Sequence, residues 1–307
     1  MIRYTVRPDE GRKVDTTARA EAELAKLIES ESRGWIADAK KRTAKFIAHG
    51  RYAEKSGTWS KIKRVYMRLQ HFKCAYCERL LESERFGTIE HDVEHFRPKS
   101  AVKKWPSAAQ SSDRNIDFRF PLGAESAKGY YKLAYHVLNY ATACKTCNTP
   151  LKSNGFPIAG KRNTGGRSPS ALKKEKPFLI YPIDHVDDDP EALIRFVGLN
   201  PVPVGTGTHE FNRASVTIRF FELDTREALL RGRAEQIQAL WFGWTIATAA
   251  NSTARQKQGA QAAIDRLLQP STPHTNCLRS FHRLLVSGDS RAGEIYERVE
   301  TYLNEQS

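Results

Sequence analysis

The chain has 307 residues, a formal net charge of +14 and 40% hydrophobic residues. This length and apolar content exclude a disordered polypeptide and allow one large domain or two modest ones. The longest nearly apolar run, Trp241 to Ala250, is too short to cross a bilayer, so we do not expect a membrane protein.

The first 70 residues are predicted to form an N-terminal helical region. Ala, Glu, Lys and Arg dominate from Thr17 to about His49, which predicts one helix. A second helix is predicted from about Thr58 to His71, with four apolar residues on one face. Those residues are Ile62, Val65, Tyr66 and Leu69. The second helix leads directly into the first of two cysteine pairs.

Two Cys-x-x-Cys pairs, Cys74–Cys77 and Cys144–Cys147, mark a central region over residues 71–160. Four thiolates in two close pairs can complete a tetrahedral zinc shell, which leaves no open position for catalysis. Four polar residues near these pairs therefore need another role, and a second, hard metal ion with a base beside it is the obvious candidate. They are Glu94, His95, Asn139 and Asn148.

A loop is predicted over residues 100–130, which are rich in Ser, Pro, Gly and Asp after the first few positions. Residues 161–224 are predicted to form a basic loop followed by short strands at Phe178–Tyr181 and Leu193–Val197.

A C-terminal helical region is predicted over residues 225–307. Its helices are expected at Thr225 to about Ala250, 253–269, 276–287 and 291–304, with Trp241 and Trp244 packing in the core.

The positive charge is concentrated around the second cysteine pair. Residues 128–176 contain ten Lys or Arg and a single acidic residue, Glu175. Such a segment can bind a phosphate backbone, because each cation that neutralises a phosphate releases a counterion. A solvated basic face explains the composition alone equally well. Its coincidence with the candidate site favours nucleic acid.

Cysteine usage bears on the compartment. Four paired cysteines and a lone Cys277, without an apolar leader after Met1, favour zinc in a reducing cytoplasm over disulfides. Cys277 lies inside a predicted helix and is interpreted as a small buried apolar residue.

Three sequence motifs carry a resemblance to a known family. They are Cys74-Ala-Tyr-Cys-Glu78, Val93-Glu-His-Phe-Arg-Pro-Lys99 and Ala143-Cys-Lys-Thr-Cys-Asn148, with Asn139 nine positions before Asn148. Together they resemble the HNH endonuclease family in its four-cysteine form. Within that family, they are similar to the HNH subunit of Septu-type anti-phage systems and its retron-linked relatives. The similarity covers roughly residues 60 to 235 and is densest over 74–157.

The resemblance implies a fold and an activity. The family has a ββα-metal unit, in which a β-hairpin carries the base and a short helix carries the last metal ligand. With the predicted helices, this gives an α+β, mostly α fold with the small unit and its four-cysteine zinc site embedded in a helical protein. The implied function is hydrolysis of DNA phosphodiester bonds by the nuclease of an anti-phage defence system.

The resemblance also implies a role for each site residue. His95 would be the general base, while Glu94 and Asn148 would hold a catalytic Mg²⁺, which Mn²⁺ can replace. Asn139 would hold the strand that carries His95 or orient its ring. Three cations, Arg97, Lys99 and Lys152, would meet phosphate oxygens. His91 shares a strand face with His95 and could be a metal ligand, an auxiliary base or a polar strand residue.

Two alternatives stay open at this point. A catalytically inactive, zinc-stabilised subunit that binds nucleic acid or a partner is also compatible with the paired cysteines. For an active nuclease, the Septu-like resemblance implies an ATPase partner of the ABC or SMC kind, docking on segments 1–70 or 225–307. A stand-alone nuclease that is restrained by modification of its substrate is the alternative.

Overall fold

The computed structural model describes five stretches of the chain and has an α+β, mostly helical architecture, as predicted. These stretches are residues 1–6, 16–55, 57–83, 85–205 and 207–305. The helices are α1 (Thr16–Glu31), α2 (Trp35–His49), α3 (Lys63–Leu69), α4 (Gly87–Glu90), α5 (Ala108–Asp113), α6 (Pro190–Leu193), α7 (Thr208–Phe220), α8 (Glu227–Thr248), α9 (Ala254–Leu267), α10 (Thr275–Val286) and α11 (Arg291–Glu305). The strands are β1 (His91–His95), β2 (Tyr140–Cys144), β3 (Ile194–Val197) and β4 (Asn200–Pro203). Across the described stretches, every helix is too short or too polar to span a bilayer.

The N-terminal region contains two helices where the sequence predicted one. Helix α1 ends at Glu31, and α2 begins after Gly34, whose φ of 80° is left-handed and interrupts the helix. The Glu29 carboxylate accepts hydrogen bonds from the backbone N–H groups of Gly34 and Ile36, both at 2.8 Å. These bonds give partners to backbone N–H groups at the start of α2 and so stabilise the break between the two helices. The prediction of one continuous helix is therefore wrong.

The segment between the helices and the first cysteine pair also differs in detail from its prediction. A 3₁₀ turn, Trp59–Ile62, precedes α3, which ends at Leu69. His71 and Phe72 follow with positive φ values of 51° and 59°, which excludes a helix over those residues.

Strands β1 and β2 form an antiparallel pair at the centre of the molecule. Their register places His91 opposite Cys144 and His95 opposite Tyr140. A π-helical turn, Cys147–Lys152, follows β2 directly and carries Asn148. The chain between the two strands includes the predicted loop 100–130, in which α5 forms with a Ser107–Gln110 capping box. The order of elements is therefore strand, long connection, strand and helical turn.

The C-terminal half contains the predicted helices, with small shifts at their ends. Helices α8 to α11 correspond to the four predicted segments, and β3 corresponds to the second predicted strand. The strand predicted at Phe178–Tyr181 is wrong, although these residues are buried. The N–H of Phe178 bonds to Pro157 O beside an isolated bridge between Ile158 and Pro177. The N–H of Tyr181 bonds instead to an Asp187 carboxylate oxygen, so the pairing does not extend into a strand.

The core is continuous along the chain. Trp241 stacks on Tyr296 with ring centroids 4.6 Å apart, and Trp244 meets His282 edge-on at 5.7 Å. Both tryptophans pack against the buried core, which confirms their interpretation as packing residues. Cys277 is buried, with 1% of its surface exposed, and its thiol lies 3.4 Å from Gly198 O.

Candidate metal centres and active site

The four paired cysteines converge on one buried point. The four sulfur atoms, from Cys74, Cys77, Cys144 and Cys147, all lie within 4.8 Å of one another. The sulfurs of Cys77 and Cys144 are 3.9 Å apart. A tetrahedral Zn²⁺ with Zn–S bonds of about 2.3 Å requires sulfurs separated by about 3.8 Å. The cluster therefore fits zinc in both ligand type and spacing, as the sequence predicted.

Arg226 contacts this cluster, which the sequence did not reveal. Its Nη1 atom donates to the Cys147 sulfur at 3.2 Å, and the nearby thiols raise its pKa against the opposing effect of burial. Four thiolates around a divalent ion leave a net negative charge, which one guanidinium partly offsets. Arg226 directly precedes α8, so this contact joins the C-terminal helices to the cysteine cluster. No spacing rule could have found it, because the two residues are 79 positions apart.

A polar cavity of about 250 Å³ opens at the end of β1. Four of the predicted site residues line it: Glu94, His95, Lys99 and Asn148. Its other lining residues are Val93, Pro98, Thr149, Ser153 and Asn154. The strand end and the π-helical turn thus bring together residues that are more than 50 positions apart in the chain.

The His95 ring is fixed by contacts on several sides. Its Nε2 atom lies 3.2 Å from Ala134 O, a hydrogen bond that requires the proton to be on Nε2. Trp59 and Tyr140 meet the ring edge-on, with centroid distances of 4.8 and 5.1 Å. Burial lowers the pKa of His95 well below its ordinary value, with Lys99 adding to the shift. The imidazole is therefore neutral, and Nδ1 carries its free lone pair.

Glu94 forms a buried ion pair with Lys152. The Lys152 Nζ atom lies 2.5 Å from Glu94 Oε1 and donates to His95 O at 3.0 Å, and its side chain is 0% exposed. Burial raises the pKa of Glu94, and Lys152 opposes that shift. Lys152, predicted to meet phosphate, is therefore engaged with Glu94 and with the backbone of His95.

Asp92 is the fourth polar residue of β1, and the sequence reasoning missed it. It accepts a hydrogen bond from Asn148 Nδ2 at 3.1 Å and forms an ion pair with Lys145 at 3.0 Å. Asp92 and Glu94 are two residues apart on a strand and so share a face, which is a signal that could have identified it. Because Asn148 uses its amide nitrogen on Asp92, its amide oxygen is left for another partner.

Two of these residues offer oxygen atoms of the kind that a hard divalent ion binds. Glu94 supplies a carboxylate and Asn148 an amide oxygen at one cavity. Mg²⁺ commonly takes only one or two protein oxygens and completes its shell with water and substrate phosphate. In the described part of the chain, the four cysteines are the one group of three or more His, Cys, Asp or Glu ligands, so a fuller protein cage is not present there.

Asn139 holds the chain just beyond β1. Its Oδ1 atom accepts from Arg97 N at 2.8 Å, and its Nδ2 atom donates to Arg97 O and Leu133 O, both at 3.1 Å. The side chain is 1% exposed, so all three bonds lie in the interior. The amide therefore fixes Arg97, two residues after His95, and Leu133, directly before Ala134.

Arg97 and His91 lie outside the cavity. The Arg97 guanidinium forms a buried ion pair with Glu175 and packs over the rings of Tyr130 and Phe156. His91 lies at the opposite end of β1 from His95, is fully buried, and its Nε2 atom is 3.3 Å from Glu82 O. Lys99 is the predicted phosphate-binding residue that reaches the cavity, with its Nζ atom 4.6 Å from the Trp59 ring centre.

The fold and the cysteine cluster define an α+β, mostly helical protein with a candidate structural metal centre. The chain is similar to the Septu protein PtuB of Bacillus mycoides (strain KBAB4), with 28% identity over 214 residues. The match covers 68% of this chain and 62% of that protein, which is less than two thirds of the relative's length. No family model matches the chain, and no solved structure matches it. The similarity supports a Septu-type relationship.

Proposed function

We propose that the chain is a metal-dependent endonuclease of the HNH type, which hydrolyses DNA phosphodiester bonds as part of a cytoplasmic anti-phage defence system. The observation that carries the proposal is the His95 ring, which is held by Ala134 O at a cavity shared with Glu94 and Asn148. The similarity to a Septu protein supports the defence role. Strand β1, strand β2 and the turn carrying Asn148 have the order expected of a ββα-metal unit.

The proposed base is the Nδ1 atom of His95. Because Nε2–H donates a hydrogen bond to the Ala134 carbonyl, Nδ1 is the nitrogen that can take a proton from an attacking water. Burial lowers the pKa of His95, which leaves Nδ1 unprotonated and available to accept a proton but also makes the ring a weaker base. Trp59 and Tyr140 restrict rotation of the ring, so the lone pair keeps one direction without an ordering cost during the reaction.

Glu94 and Asn148 are the proposed holders of the catalytic ion. A Mg²⁺ bound there would stabilise negative charge on the phosphate and on the leaving 3′ oxygen. Lys152 keeps the Glu94 carboxylate in one place through a 2.5 Å contact and offsets its charge in the interior. Asn139 acts through the backbone, because its bonds to Arg97 fix the chain that follows His95.

The alternative is a catalytically inactive, zinc-stabilised subunit that binds nucleic acid or a partner. One observation favours this alternative. Lys152 already neutralises the buried Glu94 carboxylate, so that carboxylate does not need a metal ion to balance its charge. Incubation of purified protein with supercoiled plasmid, with and without Mg²⁺ or Mn²⁺, separates the two functions. Metal-dependent nicking or linearisation supports the nuclease, and intact plasmid under every metal supports the inactive subunit.

Lys99 is expected to contact a DNA phosphate. Replacing Lys99 with alanine should weaken DNA binding and flatten the log–log salt dependence by about one unit, the change for one lost phosphate contact. The reason is its position at the cavity, whereas Arg97 and Lys152 are buried in ion pairs. Salt titrations of binding to a short duplex provide the measurement. Lys40→Ala, an exposed lysine on α2, is the matched control.

An unchanged slope for Lys99→Ala, together with a flattened slope for Lys40→Ala, would place the phosphate contact elsewhere on the basic surface. The binding assay is run without divalent metal ions, so the result does not depend on cleavage.

A partner is also proposed. The relative's name associates it with the Septu system, and we infer that this chain works with an ATPase subunit of the ABC or SMC kind. Co-purification from native cells tests the complex. Recovery of the chain without an ATPase, with full nuclease activity of the isolated protein, would support a stand-alone enzyme instead.

A further inference from the structure

A second cavity, of about 360 Å³, adjoins the chain segment that follows His95. Phe96, Arg97 and Asn139 line this cavity, whereas His95, Pro98 and Lys99 line the first one. Its volume falls within the range of small-molecule sites, about 300 to 1,000 Å³. The proposed nuclease reaction makes no use of it.

The walls of the second cavity are partly apolar. Phe96 and Tyr181 both line it, with ring centroids 4.9 Å apart. Two half-buried prolines, Pro169 and Pro177, and the half-buried Val186 also line it. Small-molecule sites typically combine such apolar walls with a few polar groups that fix orientation. The flat rings of nucleobases can pack against such walls, because every nucleobase has a π-face.

Positive charge is available at the same cavity. Arg213 also lines it, but its guanidinium is held by Asp187 at 2.5 Å and Asp188 at 2.6 Å. The lysines that line the cavity, Lys173 and Lys176, are both exposed. Within the described residues, no carboxylate partner is found for either of them. They are therefore the charges that an anion entering the cavity would meet, and a phosphate is a common partner for lysine.

We propose that the second cavity binds one nucleotide unit, with its base against the apolar walls and its phosphate at Lys173 and Lys176. The unit can be a free nucleoside phosphate or one nucleotide of a bound strand, since both present the same chemistry. A bound nucleotide would contact Phe96 and Asn139. Phe96 directly follows His95, and its N–H donates a hydrogen bond to the backbone carbonyl of Asn139. The proposal does not depend on nuclease activity, because binding is measured directly.

Calorimetric titration of the zinc-loaded full chain tests this site. The ligands are the four nucleoside 5′-monophosphates, each titrated separately, and the best of them is then compared with its nucleoside and with inorganic phosphate. We expect saturable binding of at least one monophosphate. Its nucleoside and inorganic phosphate should each bind at least about tenfold more weakly, because the nucleoside lacks the phosphate contacts and inorganic phosphate lacks the contacts of the nucleobase. Lys173→Ala/Lys176→Ala should weaken the monophosphate at least about tenfold, toward the affinity of the nucleoside.

The controls separate this site from general basic binding. Lys40→Ala/Lys41→Ala removes two exposed lysines of α2 and should leave the affinity unchanged. Val186→Trp should fill the cavity and abolish binding of the nucleoside as well as the monophosphate. Competition by a short 5′-phosphorylated single strand would assign the site to a nucleotide of the strand, and its absence would assign it to a free nucleotide. Lack of saturable binding at millimolar monophosphate, or equal affinity in the Lys173/Lys176 and Lys40/Lys41 variants, would overturn the proposal.

Discussion

Replacing His95 with alanine is expected to lower DNA cleavage by roughly two to four orders of magnitude, the usual effect of losing a positioned base. The physical reason is that the ring is the neutral imidazole at the cavity, with Nε2 committed to Ala134 O and Nδ1 free to accept a proton. Zinc content and DNA affinity should remain at parental levels. Single-turnover cleavage of a labelled duplex gives the rate, and calorimetry gives the affinity.

Two comparisons make the His95 result specific. His49→Ala, an exposed histidine at the end of α2, should cleave like the parent. Glu94→Ala and Asn148→Ala should instead raise the Mg²⁺ concentration needed for half-maximal cleavage, because these residues are the proposed ligands of the ion. Retained cleavage in His95→Ala, with contaminating nuclease excluded, would move the base elsewhere. Products are expected to carry 5′-phosphate and 3′-hydroxyl ends.

Replacing Cys144 with serine should remove stoichiometric zinc and destabilise the whole protein. The two cysteine pairs come from distant parts of the chain, and all four sulfurs are buried within 4.8 Å of one another. Structural zinc couples its binding directly to folding, so losing one thiolate costs stability and does more than slow a reaction. A loss of several kcal/mol would lower the melting temperature by roughly 10 °C or more in a protein of this size.

Metal analysis and thermal unfolding of the purified variant provide the measurements. Cys277→Ala is the matched control, because this cysteine is equally buried but contacts Gly198 O and lies outside the cluster. It should keep one zinc per chain and lose only a small part of the melting temperature. A Cys144→Ser protein that is as heat-stable as the parent, or a parent without zinc, would contradict the zinc assignment.

Local patterns in the sequence were sufficient to predict several parts of this protein. The 3–4 spacing of apolar residues predicted α8, since a helix places such residues on one face. Cysteine spacing predicted the cluster of four sulfurs, because paired thiolates are the ligands that zinc selects. The spacing of the motifs predicted that Glu94, His95 and Asn148 cluster, and the structure places all three at one cavity, whereas their roles came only from the resemblance.

Other features depended on contacts between distant residues. Arg97 pairs with Glu175, and Lys152 pairs with Glu94, so two cations that the sequence predicted to meet phosphate are occupied in the interior. The Ala134 carbonyl that selects the His95 tautomer lies 39 positions away in the chain. A charged or polar side chain takes whichever partner the fold brings within hydrogen-bond distance, and burial makes that choice energetically decisive. Sequence therefore determined which residue types are available, while only the tertiary structure decided which of them remain free to act.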